Sequence, residues 1–237
     1  MNLFITFLFG MTILIGVILV VILKNSKTIS ELSISIGFSV LLYLIFLELI
    51  PHVFEHLPYM DVLFYAVIGI ILLKLLDFFI PEHEHKDSDK HTLHISLIAS
   101  IALVLHNIIE GMALYTTLNN HFHIGLMMGL GVGFHNIPMG MVIASTLEDS
   151  KYSKKKIILI GTLISLSTVL GALIINLFGR ISDYSLGVML ALTLGMIVYI
   201  TIFELFQHMK HQSKKNNLIG LIIGTIIFLI SMLFHSH

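Results

Sequence analysis

The sequence predicts an all-α membrane protein with eight transmembrane helices and both termini on the outer side of the membrane. Of its 237 residues, 57% are hydrophobic and 11% are charged, a composition typical of an integral membrane protein. Eight apolar runs have lengths close to the roughly 20 residues that a helix needs to cross a bilayer. No other stretch is long and polar enough for a soluble domain, so residues 1–237 are expected to form one polytopic membrane domain. The eight runs are Leu3–Leu23, Leu32–Pro51, Val62–Ile80, Leu93–Leu118, His123–Leu147, Ile157–Phe178, Leu186–Phe206 and Leu218–Phe234.

The lysines predict how the chain is oriented in the membrane. Eleven of them lie in the connections after the first, third, fifth and seventh runs, whereas the other three connections carry only Arg180. Because loops rich in Lys and Arg remain in the cytosol, the odd-numbered connections are expected inside and both termini outside. The eleven lysines are Lys24, Lys27, Lys86, Lys90, Lys151, Lys154, Lys155, Lys156, Lys210, Lys214 and Lys215.

The fourth and fifth runs each contain the pattern His-Asn-Ile-x-x-Gly near their middle. One copy begins at His106 and the other at His135, 29 residues later. At about 1.5 Å of rise per residue, both histidines lie close to the membrane midplane. An ionisable side chain at that depth costs several kcal/mol unless it is paired or coordinates something. A single such residue is often only hydrogen-bonded to a neighbouring helix, but the repetition in register favours a functional site.

These side chains have the chemistry of a metal site. His106 and Glu110 are four residues apart and therefore share one helix face, as do His135 and Met139. Since the chain contains no cysteine, a metal would need His, carboxylate, amide or Met ligands. For Met139, simple packing is the alternative. We predict a metal site whose principal ligands are His106, Glu110 and His135. Three further residues would lie at its edge, namely Asn107, Asn136 and Met139.

A second internal repeat relates the second and seventh runs. Both end in the pattern Tyr-x4-Glu-Leu-x-x-His, which begins at Tyr43 in one run and at Tyr199 in the other. The two runs would cross the membrane in opposite directions, as in transporters built from inverted repeats around a central site. We therefore expect a 3+2+3 arrangement of helices that works by alternating access. Alternatively, each polar group merely lies at the hydrated end of its helix. The predicted pathway residues are Glu48, His52, Glu55 and His56 on the outer side, and Glu204 and His208 on the inner side.

One motif favours a different function. The segment from His52 to His56 matches the His-x-x-Glu-His pattern of inverted zinc peptidases, in which two His hold Zn²⁺ and the Glu activates water. The pattern fixes only three of five residues, no third ligand is evident nearby, and the equivalent segment of the seventh run lacks the Glu. A membrane zinc metallopeptidase that uses His52, Glu55 and His56 is therefore the weaker alternative.

Together these features resemble the ZIP (Zrt/Irt-like) family of divalent metal transporters. Members of that family have eight helices, outer termini, a His-rich cytosolic loop between helices three and four, and His-Asn-x-Pro-Glu-Gly or close variants in helices four and five. The resemblance implies transport of a divalent transition metal into the cytosol across a bacterial cytoplasmic membrane. Imidazole with one carboxylate suits Zn²⁺ better than Fe²⁺, and both better than hard cations. The most specific matches are His106, Asn107, Glu110, Gly111, His135, Asn136, Pro138 and Gly140.

Three positions depart from the family pattern. Ile109 stands where helix four usually has Pro, and Met139 stands where many members have a Glu that bridges two metals. In a looser alignment, Thr168 replaces a Glu of helix six. These changes remove carboxylates that would hold a second metal, so one principal site is expected. A homologue that no longer transports is a further alternative.

Residues 81–92 are expected to form a solvent-exposed cytosolic loop. It contains His83, His85 and His91, which could collect cytosolic metal, although a merely soluble connector fits the composition equally well. No cofactor is expected, because the metal would be the transported substrate. The other expected partner is the lipid bilayer rather than nucleic acid, and a homodimer is left open.

Overall fold

The chain folds into long helices joined by short connections. The computed structural model describes residues 1–23, 27–79, 88–179 and 181–235, and within these ranges it contains eight long helices. Each of the eight predicted runs coincides with one of them. The helices are α1 (Asn2–Leu23, with a turn at Met11), α2 (Lys27–His56), α3 (Tyr59–Phe79), α4 (Ser88–Asn120), α5 (Phe122–Asp149), α6 (Lys154–Phe178), α7 (Asp183–Lys210) and α8 (Lys214–His235).

Within the described ranges, seven helices are long and apolar enough to cross a membrane, namely α1, α2 and α4 to α8. The remaining helix, α3, has 21 residues. Along α6, exposed leucines recur every three or four residues at Leu159, Leu163, Leu166 and Leu170. This spacing forms one apolar helix face, which suits contact with lipid. The protein is therefore an all-α integral membrane protein.

Most helices extend beyond the apolar runs that predicted them. Helix α2 begins at Lys27 rather than Leu32 and ends at His56 rather than Pro51. Once a helix has formed, each added residue gains a hydrogen bond without a further nucleation cost, so polar flanks are also helical. For the same reason α4 begins at Ser88, and the predicted loop 81–92 was wrong for residues 88–92. His91 lies in this first turn, whereas His83 and His85 lie outside the described residues.

Helices α4 and α6 approach each other at backbone distance. A Cβ atom on Gly111 would lie 1.9 Å from the carbonyl oxygen of Thr168, and one on Gly171 would lie 1.9 Å from the carbonyl oxygen of Ile108. Small residues at such crossings let two membrane helices make close van der Waals contact. The last residue of the first His-Asn-Ile-x-x-Gly pattern is therefore required by packing.

Helices α1 and α5 repeat this arrangement. A Cβ atom on Gly140 would lie 2.1 Å from the carbonyl oxygen of Ile13, and one on Gly16 would lie 1.9 Å from that of Ile137. Gly140 is the last residue of the second pattern. Helix α3 also packs closely against α7, and α2 against α8. The apolar core draws residues from all eight helices and includes Leu44, Leu103, Ile143 and Leu194.

Helices α2 and α7 each contain one π-helical segment. These segments are Leu44–Leu49 and Ile200–Leu205. Each begins directly after the Tyr of the Tyr-x4-Glu repeat and includes its Glu. A π-helical turn inserts an extra residue into the helix and is frequent at functional sites. The sequence repeat therefore coincides with a repeated distortion of the backbone.

The packing of α5 predicts different outcomes for two glycine substitutions on the same helix. Gly140→Ala should destabilise the detergent-solubilised protein by about 1–3 kcal/mol, because the methyl group would overlap the Ile13 carbonyl. Gly133→Ala is the matched control, since its nearest neighbour would be the Thr12 methyl at 3.2 Å. Thermal unfolding measures both variants, and equal midpoints would contradict the assigned α1–α5 contact.

Candidate metal site

The three principal residues predicted from the sequence meet in the interior. Nε2 of His135 lies 2.8 Å from Oε1 of Glu110, and Nε2 of His106 lies 3.7 Å from the same oxygen. One ligand atom from each residue lies within 4.8 Å of the others. All three side chains are buried. This cluster, the central site, joins α4 to α5 near the middle of both helices.

Hydrogen bonding fixes the carboxylate of Glu110. An ionised carboxylate only accepts hydrogen bonds, so Nε2 of His135 donates to Oε1 when Glu110 is charged. Nδ2 of Asn136 donates to Oε2 at 3.4 Å. The carboxylate is thus held from α5 on both oxygens while its own backbone belongs to α4.

The two asparagines present unused oxygen atoms in the same region. Both are fully buried, and Nδ2 of Asn107 donates to the carbonyl oxygen of Ile164 at 3.3 Å. Among the described residues, no group donates to Oδ1 of either Asn107 or Asn136. An unsatisfied buried acceptor is costly, and a cation would satisfy it. The amide chemistry therefore fits residues at the edge of a metal site.

A cavity of about 290 Å³ reaches the central site from one end of the helix bundle. His106 and Glu110 line it together with Glu48 and His52 from α2. Glu48, which the sequence assigned to the outer mouth, therefore shares a cavity with the central site. His135 is not part of the lining, so an ion in the cavity would meet His106 and Glu110 first.

Met139 lies in apolar surroundings. It is 3% exposed and lines a small apolar cavity of about 30 Å³ with Leu41, Leu103 and Ile197. Although Met139 shares a face with His135, it lies one turn further along α5, where that helix meets the apolar core. The apolar lining of this cavity favours packing, the alternative given for Met139 in the sequence analysis.

A second group of metal-ligand side chains lies at the C-terminal end of α2. One ligand atom each from His52, Glu55 and His56 lies within 4.8 Å of the others. His52 and His56 line a second cavity, of about 390 Å³, which Asp183 also borders. The sequence had not singled out Asp183, because an acidic residue after Ser182 in the first turn of a helix is a common helix-start signal.

The remaining pathway residues, Glu204 and His208, lie in α7. Glu204 is buried in the π-helical segment, and His208 is partly exposed in the last turns of the helix. Neither residue lines the two cavities that contain His52. The cavity of His106 and Glu110 thus includes residues from the α2 half of the repeat, namely Glu48 and His52.

Comparisons with known proteins agree with this geometry. Residues 80–232 match the model of the family described as ZIP Zinc transporter. The chain is also 30% identical over 258 residues to the zinc transporter ZupT of Corynebacterium glutamicum, an alignment that covers 96% of this chain and 98% of ZupT. The chain belongs to the ZIP zinc transporter family. Its function is the transport of a divalent metal ion.

Membership of the ZIP family confirms the resemblance inferred from the two His-Asn-Ile-x-x-Gly patterns. The family match includes both patterns, since it begins at residue 80 and ends at residue 232. In this ZIP protein the first and last residues of each pattern have different structural roles. Each His lies in the central site, while each final Gly lets its helix contact a neighbour.

The contact between His135 and Glu110 predicts an energetic coupling in the metal-free protein. In the wild-type protein, His135→Ala removes a hydrogen-bond partner of the buried Glu110 carboxylate. In a Glu110→Gln background the same substitution should cost less, because no charge is left unpaired. The double-mutant cycle should therefore show a coupling of at least about 1 kcal/mol. The measurement is unfolding in mixed micelles with a chelator present.

A distant substitution provides the control for that cycle. Ser35 hydrogen-bonds Asn217 at the contact of α2 with α8, so the effect of Ser35→Ala should add to that of Glu110→Gln. Additivity of the His135 and Glu110 substitutions as well would contradict the pairing of these residues.

Proposed function

We propose that this ZIP protein carries Zn²⁺, in preference to Fe²⁺, across a bacterial cytoplasmic membrane into the cytosol. His106, Glu110 and His135 would bind the ion midway. The observation that carries the proposal is the convergence of two imidazoles and a carboxylate, with ligand atoms within 4.8 Å, in a buried centre. This donor set suits Zn²⁺ better than a hard cation, and the relative ZupT is described as a zinc transporter.

Zn²⁺ would bind by replacing the hydrogen bond between His135 and Glu110. Neighbouring ligand atoms of a tetrahedral Zn²⁺ are about 3.3 Å apart when each bond is about 2.0–2.1 Å. The present separations of 2.8 and 3.7 Å bracket that value, so small side-chain rotations are sufficient. Because Nε2 of His135 must present its lone pair to the ion, the proton that it shares with Glu110 would have to leave this nitrogen, either to Nδ1 or to solvent, when the metal binds.

The same donor set supports one metal rather than two. Glu110 is the one carboxylate among the three clustered ligands, and the amide oxygens of Asn107 and Asn136 are neutral. Met139 packs in an apolar cavity and contributes no ligand to this proposal. Two dications close together would be underneutralised here, so we assign a single principal ion flanked by the two amides.

The pathway would begin at the cavity that contains His52 and Glu48. An ion there lies in the same cavity as His106 and Glu110. Beyond the central site, Leu41, Leu103 and Met139 line an apolar region that holds no ligand for a cation. Transport then requires a second conformation in which this region opens toward Glu204 and His208, which is alternating access.

The helix packing supports an inverted 3+2+3 arrangement in which α3 is the eighth spanning helix. In such a repeat, α4 corresponds to α5, and α6 corresponds to α1. The contact of α4 with α6 then corresponds to the contact of α5 with α1, and both contacts occur. Exchanging α2 with α7 and α3 with α8 likewise relates the α3–α7 contact to the α8–α2 contact. The paired glycines and the two π-helical segments follow the same exchange.

With the lysine-rich connections in the cytosol, the ends of α2 and α4 near His56 and Asn120 face outward. The chain has no native cysteine, so single cysteines report topology directly. Cysteine at the exposed position Asn120 should react with a membrane-impermeant maleimide in intact cells. Cysteine at Ser153 should react only after permeabilisation. The opposite labelling pattern would refute outer termini and eight spans.

The His-rich segment of residues 81–92 would supply weak, cytosolic metal capture through His83, His85 and His91. The motive is the donor chemistry of the sequence alone, since three imidazoles and several carboxylates are close together along the chain. Such a segment would raise the local metal concentration without defining a coordination geometry. It would be one segment of a single membrane domain. The partners of that domain would be the lipid bilayer and a divalent metal ion, not nucleic acid. The domain would work as a monomer or as a homodimer.

A peptidase function is supported by one observation, the clustering of His52, Glu55 and His56. Members of the ZIP family are transporters, and this weighs against catalysis. A transport-inactive homologue would retain the fold while losing the principal ligands, yet His106, Glu110 and His135 are present and clustered. Transport is therefore the function we propose.

Loss of the central carboxylate should abolish most transport. Glu110→Gln preserves size and hydrogen bonding but removes the charge that compensates the ion. Zn²⁺ uptake into proteoliposomes at low metal should fall at least tenfold, equivalent to about 1.4 kcal/mol or more. His106→Ala and His135→Ala should act similarly, with combined effects that are less than additive because all three bind one ion.

The control for that experiment is Glu148→Gln, which removes a carboxylate near the end of α5, outside the central cluster. It should leave uptake within about twofold of the wild-type rate. If Glu110→Gln transports normally while Glu55→Gln is inactive, the central site is not the transport site.

A further inference from the structure

The cluster of His52, Glu55 and His56 has the spacing of a helix-borne metal site. The two histidines are four residues apart, so their side chains share one face of the last turn of α2. Their rings are 5.2 Å apart between centroids, and Nδ1 of His52 lies 3.4 Å from Oε2 of Glu55. The distance from His52 to Glu55 is already close to the separation of neighbouring ligand atoms around Zn²⁺, which is about 3.3 Å.

The position at a helix terminus adds a favourable field. Helix α2 ends at His56, and Leu57 is extended in its backbone. The last carbonyl groups of a helix lack helical partners and carry the negative end of the helix dipole. A dication bound by side chains of this turn would lie near that end and be stabilised by it.

Helix α7 brings a fourth candidate donor, a carboxylate, from outside α2. A Cβ atom on Gly187 would lie 2.8 Å from Cβ of His56, so the two helices touch at this glycine. Asp183 lies one turn earlier on the same face of α7. It borders the cavity that His52 and His56 line. A carboxylate that the motif itself lacks thus borders the same cavity, 127 positions further along the chain than His56, although it lies outside the group of ligand atoms within 4.8 Å of one another.

We propose that His52, Glu55, His56 and Asp183 form a second Zn²⁺ site, the outer site, which loads before the central site. This proposal rests on the proposed function. His52 is the link between the sites, because it lines both the cavity of Asp183 and the cavity of His106 and Glu110. The side chains of His52 and Glu55 are 44% and 66% exposed, so the ion would exchange rapidly with water and with the inner cavity.

Exposure also predicts what the outer site does in transport. A buried site with a fixed donor set determines how fast an ion crosses, whereas an exposed site at the mouth determines how often the cavity is loaded. Loss of the outer site should therefore raise the Zn²⁺ concentration that gives half-maximal uptake, and leave the maximal rate unchanged.

The first test measures Zn²⁺ binding without transport. The full chain, purified in detergent with His83, His85 and His91 replaced by Ser, is titrated with Zn²⁺ by calorimetry in a Glu110→Gln background. One Zn²⁺ per chain should still bind. Adding His56→Ala should weaken that binding at least tenfold, and Asp183→Asn about threefold. Co²⁺ bound in place of Zn²⁺ should lose a nitrogen ligand in its absorption spectrum when His56 is replaced.

The matched control is His123→Ala, which removes an exposed histidine from the start of α5 at the same end of the bundle. It should leave the residual binding unchanged. Absence of residual binding in the Glu110→Gln protein, or residual binding that His56→Ala leaves intact, would overturn the outer site. His56→Gln, which retains a side chain of similar length, serves if the alanine variant does not fold.

The second test separates the outer site from the proposed function. In proteoliposomes, His56→Ala should raise the half-saturating Zn²⁺ concentration several-fold at an unchanged maximal rate. A several-fold fall in the maximal rate would overturn the role of the outer site in loading. Normal uptake by Glu110→Gln would instead refute the central site, and the calorimetric titration would still decide whether the outer site exists.

Discussion

Glu110 places a carboxylate in the middle of the helix bundle, where an uncompensated charge would cost several kcal/mol. Its compensation comes from α5, since His135 contacts one carboxylate oxygen and Asn136 donates to the other. The contact ties α4 to α5 at their centres. It also holds the ligand atoms at separations close to those in a zinc site, so the same interaction that makes the buried charge tolerable in the metal-free protein prepares it for a cation.

Close helix packing maintains this contact. Gly111 and Gly140 allow α6 and α1 to approach the backbones of α4 and α5 directly beside the site. Bulkier residues there would push α6 away from α4 and α1 away from α5, the two helices that carry His106 and His135. The π-helical segments act at the next layer, because the segment in α2 carries Glu48, which lines the central cavity. Its counterpart in α7 carries the buried Glu204.

The sequence was sufficient to predict the helices and the principal residues of the central cluster, because each has a strong local signal. Apolar runs identify the helices, and the four-residue spacing of His106 and Glu110 identifies a shared face. Helix ends were less predictable, since hydropathy marks the apolar part of a helix and not its polar flanks. The apolar cavity beside Met139 was not predictable, because helical spacing alone does not show where α5 turns from the central cavity to the apolar core.

Other features depend on contacts between distant segments and have no local signal. Asp183 borders the cavity of His52, and α7 touches α2 one turn further along at Gly187. Nothing in the Tyr-x4-Glu repeat indicates π-helical geometry, although both copies adopt it. The final glycines of the two motifs could be recognised as small residues, but their partners, the carbonyl groups of Thr168 and Ile13, belong to helices far away in the sequence.

We infer that one metal ion binds between α4 and α5 by displacing the hydrogen bond of His135 with Glu110. X-ray absorption spectroscopy of the protein loaded with one equivalent of Zn²⁺, with His52 and His56 replaced by Ala, measures that coordination directly. We expect two imidazole nitrogens and carboxylate oxygen at about 2.0–2.1 Å, and no sulfur at about 2.3 Å. A sulfur ligand, or a spectrum that His135→Ala leaves unchanged, would contradict it.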